Sequence, residues 1–173
     1  MGGLVLPPAT TLSGLADEKI AEVLDLLFEP SEALHSLLIP LIHNHPLSTY
    51  SSLASLAKDT LTSLPSDSPI LLSILSAHPR LGAAKVESSQ SQAEQKSLGS
   101  ESQRAELQRL NEEYEDLFPG LRYVVFVNGR SREVVMRDMR ERIEQGDREA
   151  EVGRASEAMC DIAVDRARKM GVE

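Results

Sequence analysis

The chain has 173 residues, 41% hydrophobic and 26% charged, which suits one globular domain with a single buried core. A net charge of −9, with the basic residues from Arg130 to Arg142 and from Arg166 to Lys169 interleaved with acids, excludes the clustered cationic stripe that nucleic acid needs. Cys160 is the only cysteine, so neither an intrachain disulfide nor a cysteine-based zinc cluster can form.

Three Phe, three Tyr and no Trp leave a core of Leu, Val, Ile and Ala, which points to packed helices. No apolar run approaches membrane-spanning length, so no membrane partner is expected. Met1 to Thr10 lacks the basic start and long apolar stretch of a signal peptide, and Met170 to Glu173 is not a Ser-Lys-Leu address. The expectation is an intracellular protein, cytoplasmic or peroxisomal.

In chain order, residues 1–11 are rich in Gly and Pro and predict a flexible tail, with the folded domain over 12–173. Ser13 to Glu29 reads as a helix, with Leu15, Ile20, Val23, Leu24 and Leu27 at helical spacing. Ser31 is the expected N-cap of a second helix carrying Leu34, Leu37 and Leu38, which Pro40 ends or kinks. Ser48 is the expected cap of a third, marked by Leu53, Leu56, Ala57, Leu61 and Leu64. After a turn over Pro65 to Pro69, Ile70 to Ala77 reads as a short apolar helix ending at His78-Pro79.

Ala83 to Gln90 reads as loop, Ser91 to Gln95 as a helical turn, and Ser100 as the cap of a long helix through Leu107, Leu110 and Tyr114. Pro119-Gly120 breaks that pattern. Leu121 to Val127 has strand-like composition but no partner run, which predicts a lone extended segment. Ser131 opens a helix to Gln145, Gly146 ends it, and Asp147 caps a last helix to about Met170. The fold class expected is all-α: one compact helical domain of about seven or eight helices with one extended segment over 121–127.

Three places carry candidate chemistry. His78 titrates near neutrality when unperturbed, although a histidine after an apolar helix also reads as a cap on the negative dipole end. Ser91, Glu94 and Gln95 stand at i, i+3 and i+4, so on a helix they offer a hydroxyl, a carboxylate and an amide from one face. Ser91-x-x-Glu94 is equally a capping box. Arg166 continues the stripe of Val152, Ala155, Met159 and Ile162; an arginine there must snorkel outward or meet an anion. Cys160 lies off that stripe and reads as structural. His35, His43 and His45 lack the neighbours a metal site needs, and no P-loop, dinucleotide fingerprint or Gly-x-Ser-x-Gly elbow is present.

Three separated segments together resemble the OHCU decarboxylase family. They are Ala77-His78-Pro79-Arg80-Leu81-Gly82, Ser91-Gln92-Ala93-Glu94-Gln95, and the run from Leu110-Asn111 through Tyr114 and Phe118 to Tyr123-Val124-Val125-Phe126-Val127. Leu27-Phe28-Glu29 and the arginine of the last helix look like further family features. The resemblance spans about Leu12 to Met170. It departs after Phe118, where Pro119-Gly120-Leu121-Arg122-Tyr123 stands in place of a Gly-Phe-Pro-Phe-like sequence with one residue more.

The resemblance implies an all-helical, homodimeric enzyme that decarboxylates 2-oxo-4-hydroxy-4-carboxy-5-ureidoimidazoline to (S)-allantoin, with no metal and no organic cofactor. It implies His78 as catalytic acid/base and Glu94 beside it, fixing its tautomer and raising its pKa. Pro79, Ser91, Gln92, Ala93, Glu94 and Gln95 would line the substrate site. The backbone of Tyr123, Val124, Val125, Phe126 and Val127 would bond the heterocycle, Arg166 would contact an anion, and Phe118 and Leu121 would wall the pocket. Functional coupling to urate oxidase and hydroxyisourate hydrolase fits that role. The competing expectation is a non-catalytic helical module that binds a ligand or partner on the same fold.

Overall fold

The hydrophobic spacing resolves into seven α-helices and one 3-10 helix in the computed structural model, which describes residues 5–82 and 101–173. Among the described residues there is no strand, so the all-α expectation holds. Helix α1 spans Asp17–Leu27 and buries Ile20, Val23, Leu24 and Leu27, with Asp17 and Glu18 facing the positive end of its dipole. The single helix expected from Ser13 is split. A 3-10 helix over Ala9–Gly14 precedes it, and Leu15 and Ala16 are extended.

The expected loose tail is corrected over its described part. Leu6, Ala9 and Leu12 are buried, and the Tyr50 hydroxyl donates to the Pro7 carbonyl at 2.7 Å. Two apolar side chains of that tail, Leu6 and Ala9, outweigh the Gly- and Pro-rich composition around them.

Helix α2, Glu32–Asn44, starts where the Ser31 Oγ accepts from the Leu34 amide. It continues through Pro40 rather than ending there. Proline removes the bond to the carbonyl four residues earlier, but Ser36 and Pro40 both lie on the exposed face, where water can serve that carbonyl. Helix α3, Tyr50–Thr62, is capped by Thr49, one residue beyond the expected Ser48. Helix α4, Pro69–Leu75, has Ser68 as cap and Pro69 in the first turn, the place where a missing amide costs nothing.

Helix α5 covers Glu101–Leu117; the expected turn at Ser91 to Gln95 and the cap at Ser100 lie outside the described residues. Gly120, at φ +84°, turns the chain out of it. The run over 121–127 belongs to no helix and pairs with no strand, as expected. Ser131 and Asp147 then cap α6, Arg132–Gln145, and α7, Arg148–Lys169, while Gly146 ends α6 in the left-handed region at φ +61°.

Helix α7 is the axis of the domain. It packs most extensively along α3 and also meets α1 and α4, while α5 packs on α6. Its buried positions go round more than one face, and five of the eleven are Ala or Ser: Ala155, Ser156, Ala158, Ala163 and Ala167. Small side chains let neighbouring helices close in on several sides, and this brings the end of α1 and the segment after α4 to the C-terminal half of α7. Cys160 is buried there as expected, and burial raises its thiol pKa to about 12. No helix among the described residues is long and apolar enough to cross a membrane.

Candidate functional site

Helix α4 ends at Leu75, and His78 follows three residues later with 5% of its surface exposed. The dipole-cap reading therefore does not describe it, because a cap would favour the charged imidazolium. Burial, and then the positive charge of Arg166, push its pKa down to about 3. His78 is thus a neutral imidazole at neutral pH. The upward shift expected from Glu94 has no counterpart among the described residues, and Glu94 itself lies outside them. The His78 Nε2 is buried with no hydrogen-bond partner among the described residues.

The segment carrying His78 is pinned onto α5. Arg80 forms a two-pronged pair with Glu115, at 2.8 and 2.5 Å. The Asn111 Nδ2 donates to the Leu81 carbonyl at 2.9 Å, while its own buried Oδ1 has no partner among the described residues. Gly82 takes φ +78°, and a Cβ there would come within 2.7 Å of the Leu107 Cδ2. Arg122 donates from Nη1 to the His78 carbonyl at 3.1 Å, which ties the start of the extended run to the histidine. Pro79 is half-buried beside it.

Of the two alternatives its place on the core stripe left open, Arg166 takes the inward one. It is 2% exposed and donates to the Leu27 carbonyl at 3.2 Å, the Phe28 carbonyl at 2.7 Å and the Glu29 Oε1 at 3.0 Å. Glu29 is buried too. The Leu27-Phe28-Glu29 feature of the sequence is the other half of this contact.

The extended run has a defined polarity. The Val124 carbonyl accepts from Arg142, the Phe126 carbonyl from Arg130 at 2.5 Å, and the Val127 carbonyl from Arg130 Nε at 3.1 Å. The amides of Tyr123, Val124, Val125, Phe126 and Val127 have no hydrogen-bond partner among the described residues. Side chains play a different part. Tyr123 is buried with its hydroxyl on Asp138, and Val124 and Val125 are buried in the core. Phe126 and Val127 are only half-buried. Phe118 and Leu121, expected to wall a pocket, are core residues, Phe118 lying 4.8 Å from the Tyr114 ring. Arg130 folds back on its own loop.

Beneath the run lies a polar network. Glu151 is fully buried and accepts from the Tyr114 hydroxyl at 2.6 Å and from Arg154 at 2.6 Å, with Arg142 at 3.7 Å. An open cleft of about 330 Å³ lined by Val125, Phe126, Arg142, Arg154 and Asp161 among others borders the run, but neither His78 nor Arg166 lines it. Among the described residues no three His, Cys, Asp or Glu are placed to hold a metal ion.

The structure places the Arg166 charge close enough to His78 to lower its pKa and ties the His78 carbonyl to Arg122, just before the run from Tyr123 to Val127. Ser91, Gln92, Ala93, Glu94 and Gln95 lie outside the described residues. Sequence reasoning passed over Glu29, Asn111 and Arg122 as site neighbours. Asn111 and Glu29 stood inside the quoted family segments, so the signal was there without a reason attached. Arg122 carried no signal, because a backbone carbonyl as its target leaves no trace in the sequence.

This buried neutral imidazole, adjacent guanidinium and open-amide backbone segment stand on a chain that no curated protein matches. A family model described as OHCU decarboxylase matches residues 13–168. By that match, which covers nearly the whole chain, the protein belongs to the OHCU decarboxylase family, a family of decarboxylases of urate degradation.

Proposed function

We propose that the protein decarboxylates 2-oxo-4-hydroxy-4-carboxy-5-ureidoimidazoline to (S)-allantoin without a metal or organic cofactor. The observation that carries this reading is the buried Nε2 of His78, which has no partner among the described residues and sits within the field of Arg166. A buried polar atom without a partner is costly, and a substrate hydroxyl would relieve that cost.

The substrate has a C=N bond beside the carbon that loses carbon dioxide. When the C4–carboxylate bond breaks, its electron pair forms a C4=C5 double bond, and the displaced imine pair collects on nitrogen, which takes a proton. The resulting enol loses its hydroxyl proton to a base, C4 becomes a carbonyl, and C5 is protonated from one face. One proton is consumed in sum. The sink is internal, so the protein's work is orientation, desolvation and proton handling.

His78 suits the base. Burial, and then the Arg166 charge, hold its pKa down, and a substrate carboxylate would offset the second of these. Bound substrate thus brings the imidazole closer to the value a proton acceptor needs. Glu94 would orient the ring and Ser91, Gln92, Ala93 and Gln95 would complete the wall. The amides of Tyr123 to Val127 would donate to ring oxygens, and Arg166 would add positive potential from its core position. Homodimeric assembly, an intracellular setting and supply of substrate by urate oxidase and hydroxyisourate hydrolase belong to the same reading.

The test is turnover of freshly generated urate oxidation product by the wild type, His78→Ala and Glu94→Ala. Loss of at least about a hundredfold in the His78 variant, the usual scale for a general acid–base group, with folding retained supports the reading. Wild-type rates in purified His78→Ala would sink it and favour the binding-module alternative.

A further inference from the structure

We infer that Arg142 is a positioning residue that sets which backbone edge of the 123–127 run a ligand can read. It is held in three ways. Its Nε pairs with Asp138 at 2.9 Å, its Nη1 lies 3.7 Å from the fully buried Glu151, and its guanidinium carbon sits 4.9 Å above the Tyr123 ring centre. From there it donates to the Val124 carbonyl at 3.5 Å. Tyr123 is fixed by the same acid, its hydroxyl bonding Asp138. Arg142 therefore grips residue 123 by its ring and residue 124 by its carbonyl.

The next gripped carbonyl is two residues further on, at Phe126, bonded by Arg130, which also takes the Val127 carbonyl as the chain enters the turn. Period two is the period of extended backbone, in which the N–H and C=O of one residue share an edge and the next residue's pair faces the opposite edge. With the carbonyls of Val124 and Phe126 committed to the arginines and that of Val127 turned onto Arg130, the opposite edge presents the N–H and C=O of Val125, flanked by the amides of Tyr123 and Val127. That edge complements a ring amide or ureide, with its adjacent C=O and N–H. Slippage by one residue would exchange the two edges, and Arg142 is the contact that opposes slippage. Arg130 is exposed and hangs on the following turn, so it reports the edge more than it fixes it.

Planarity matters here. Arginine gives two N–H groups in a fixed fork and a flat face for the Tyr123 ring, while lysine keeps the charge and loses both. Arg142→Lys thus separates positioning from simple neutralisation of Glu151 and Asp138.

This inference rests on the proposed decarboxylase reading, and the experiment keeps the two apart. Steady-state kinetics on the enzymatically generated substrate are measured for the wild type and Arg142→Lys, with thermal melts and backbone hydrogen exchange over residues 123–127. The expected result is a KM raised about tenfold with kcat within about threefold, the pattern of lost binding geometry rather than lost chemistry, together with faster exchange at Val125 and Val127. A lower Tm with unchanged KM and unchanged exchange overturns the positioning role. Should Arg142→Lys fail to fold, Asp138→Asn, which loosens the anchor of Arg142, is read by the same measurements. Should the wild type show no turnover, the decarboxylase reading falls, and the exchange data alone judge Arg142: unchanged exchange in the variant overturns it.

Discussion

Arg166, near the end of the last helix, and Glu29, just past the end of α1, form an ion pair at 3.0 Å with both side chains almost fully buried. The guanidinium also takes the carbonyls of Leu27 and Phe28, so it satisfies the frayed end of α1 while spending its charge on Glu29. A buried pair of this kind holds because each partner compensates the other, and removing one leaves a desolvated charge. Glu29→Ala should therefore cost about 3–5 kcal/mol, measured by urea denaturation. A loss below 1 kcal/mol would mean that Glu29 is not the charge that keeps Arg166 inside.

How much of this was legible follows from the same pair. The stripe of Val152, Ala155, Met159 and Ile162 placed Arg166 on the core side, and that left two outcomes, an outward snorkel or a buried anion. The anion itself is 137 residues away in the chain, and no local pattern carries that information. Caps at Ser31, Ser131 and Asp147 were readable because each side chain bonds an amide three residues on. Of the two outcomes expected at Pro40, an end did not occur, because Ser36 and Pro40 lie on the exposed face, where water can serve the orphaned carbonyl. Leu6 and Ala9 misled because composition averages over the few apolar atoms that anchor a segment. The polarity of the 123–127 run was half legible: its lack of a strand partner was visible, but the arginines that take its carbonyls come from a turn and a separate helix.

The His78 pKa gives a stability prediction with a definite sign. The folded state holds the imidazole at about 3, mainly through burial and then through Arg166, while the unfolded chain titrates near its ordinary value of about 6.5. Between those values the unfolded state binds the extra proton, so stability falls as pH falls. From pH 7 to pH 5 the wild type should lose about 2 kcal/mol on this account, and His78→Asn should lose that much less. Parallel pH profiles for the two proteins in denaturant titrations would contradict it.

Gly82→Ala tests the docking of the His78 segment on α5. The new Cβ would meet the Leu107 Cδ2 at 2.7 Å and the backbone would be held at φ +78°. The strain should cost about 1–2 kcal/mol or more, seen as a lower Tm. Because the Leu81 carbonyl that Asn111 holds is one residue away, turnover should fall further than stability alone explains. An alanine variant with unchanged Tm would show that Leu107 yields freely.

Tyr114→Phe removes one of the donors to the fully buried Glu151. Arg154 remains, so the loss should be about 1–3 kcal/mol rather than collapse, measured by thermal or urea unfolding. A neutral result would indicate that Arg154 and Arg142 alone satisfy that carboxylate.

The most direct test of the account is circular dichroism at an allantoin-sensitive wavelength during urate oxidation by urate oxidase and hydroxyisourate hydrolase, with and without this protein. The account predicts fast growth of the (S)-allantoin signal only when the protein is present. A signal no faster than spontaneous decay, with racemic product, would contradict it.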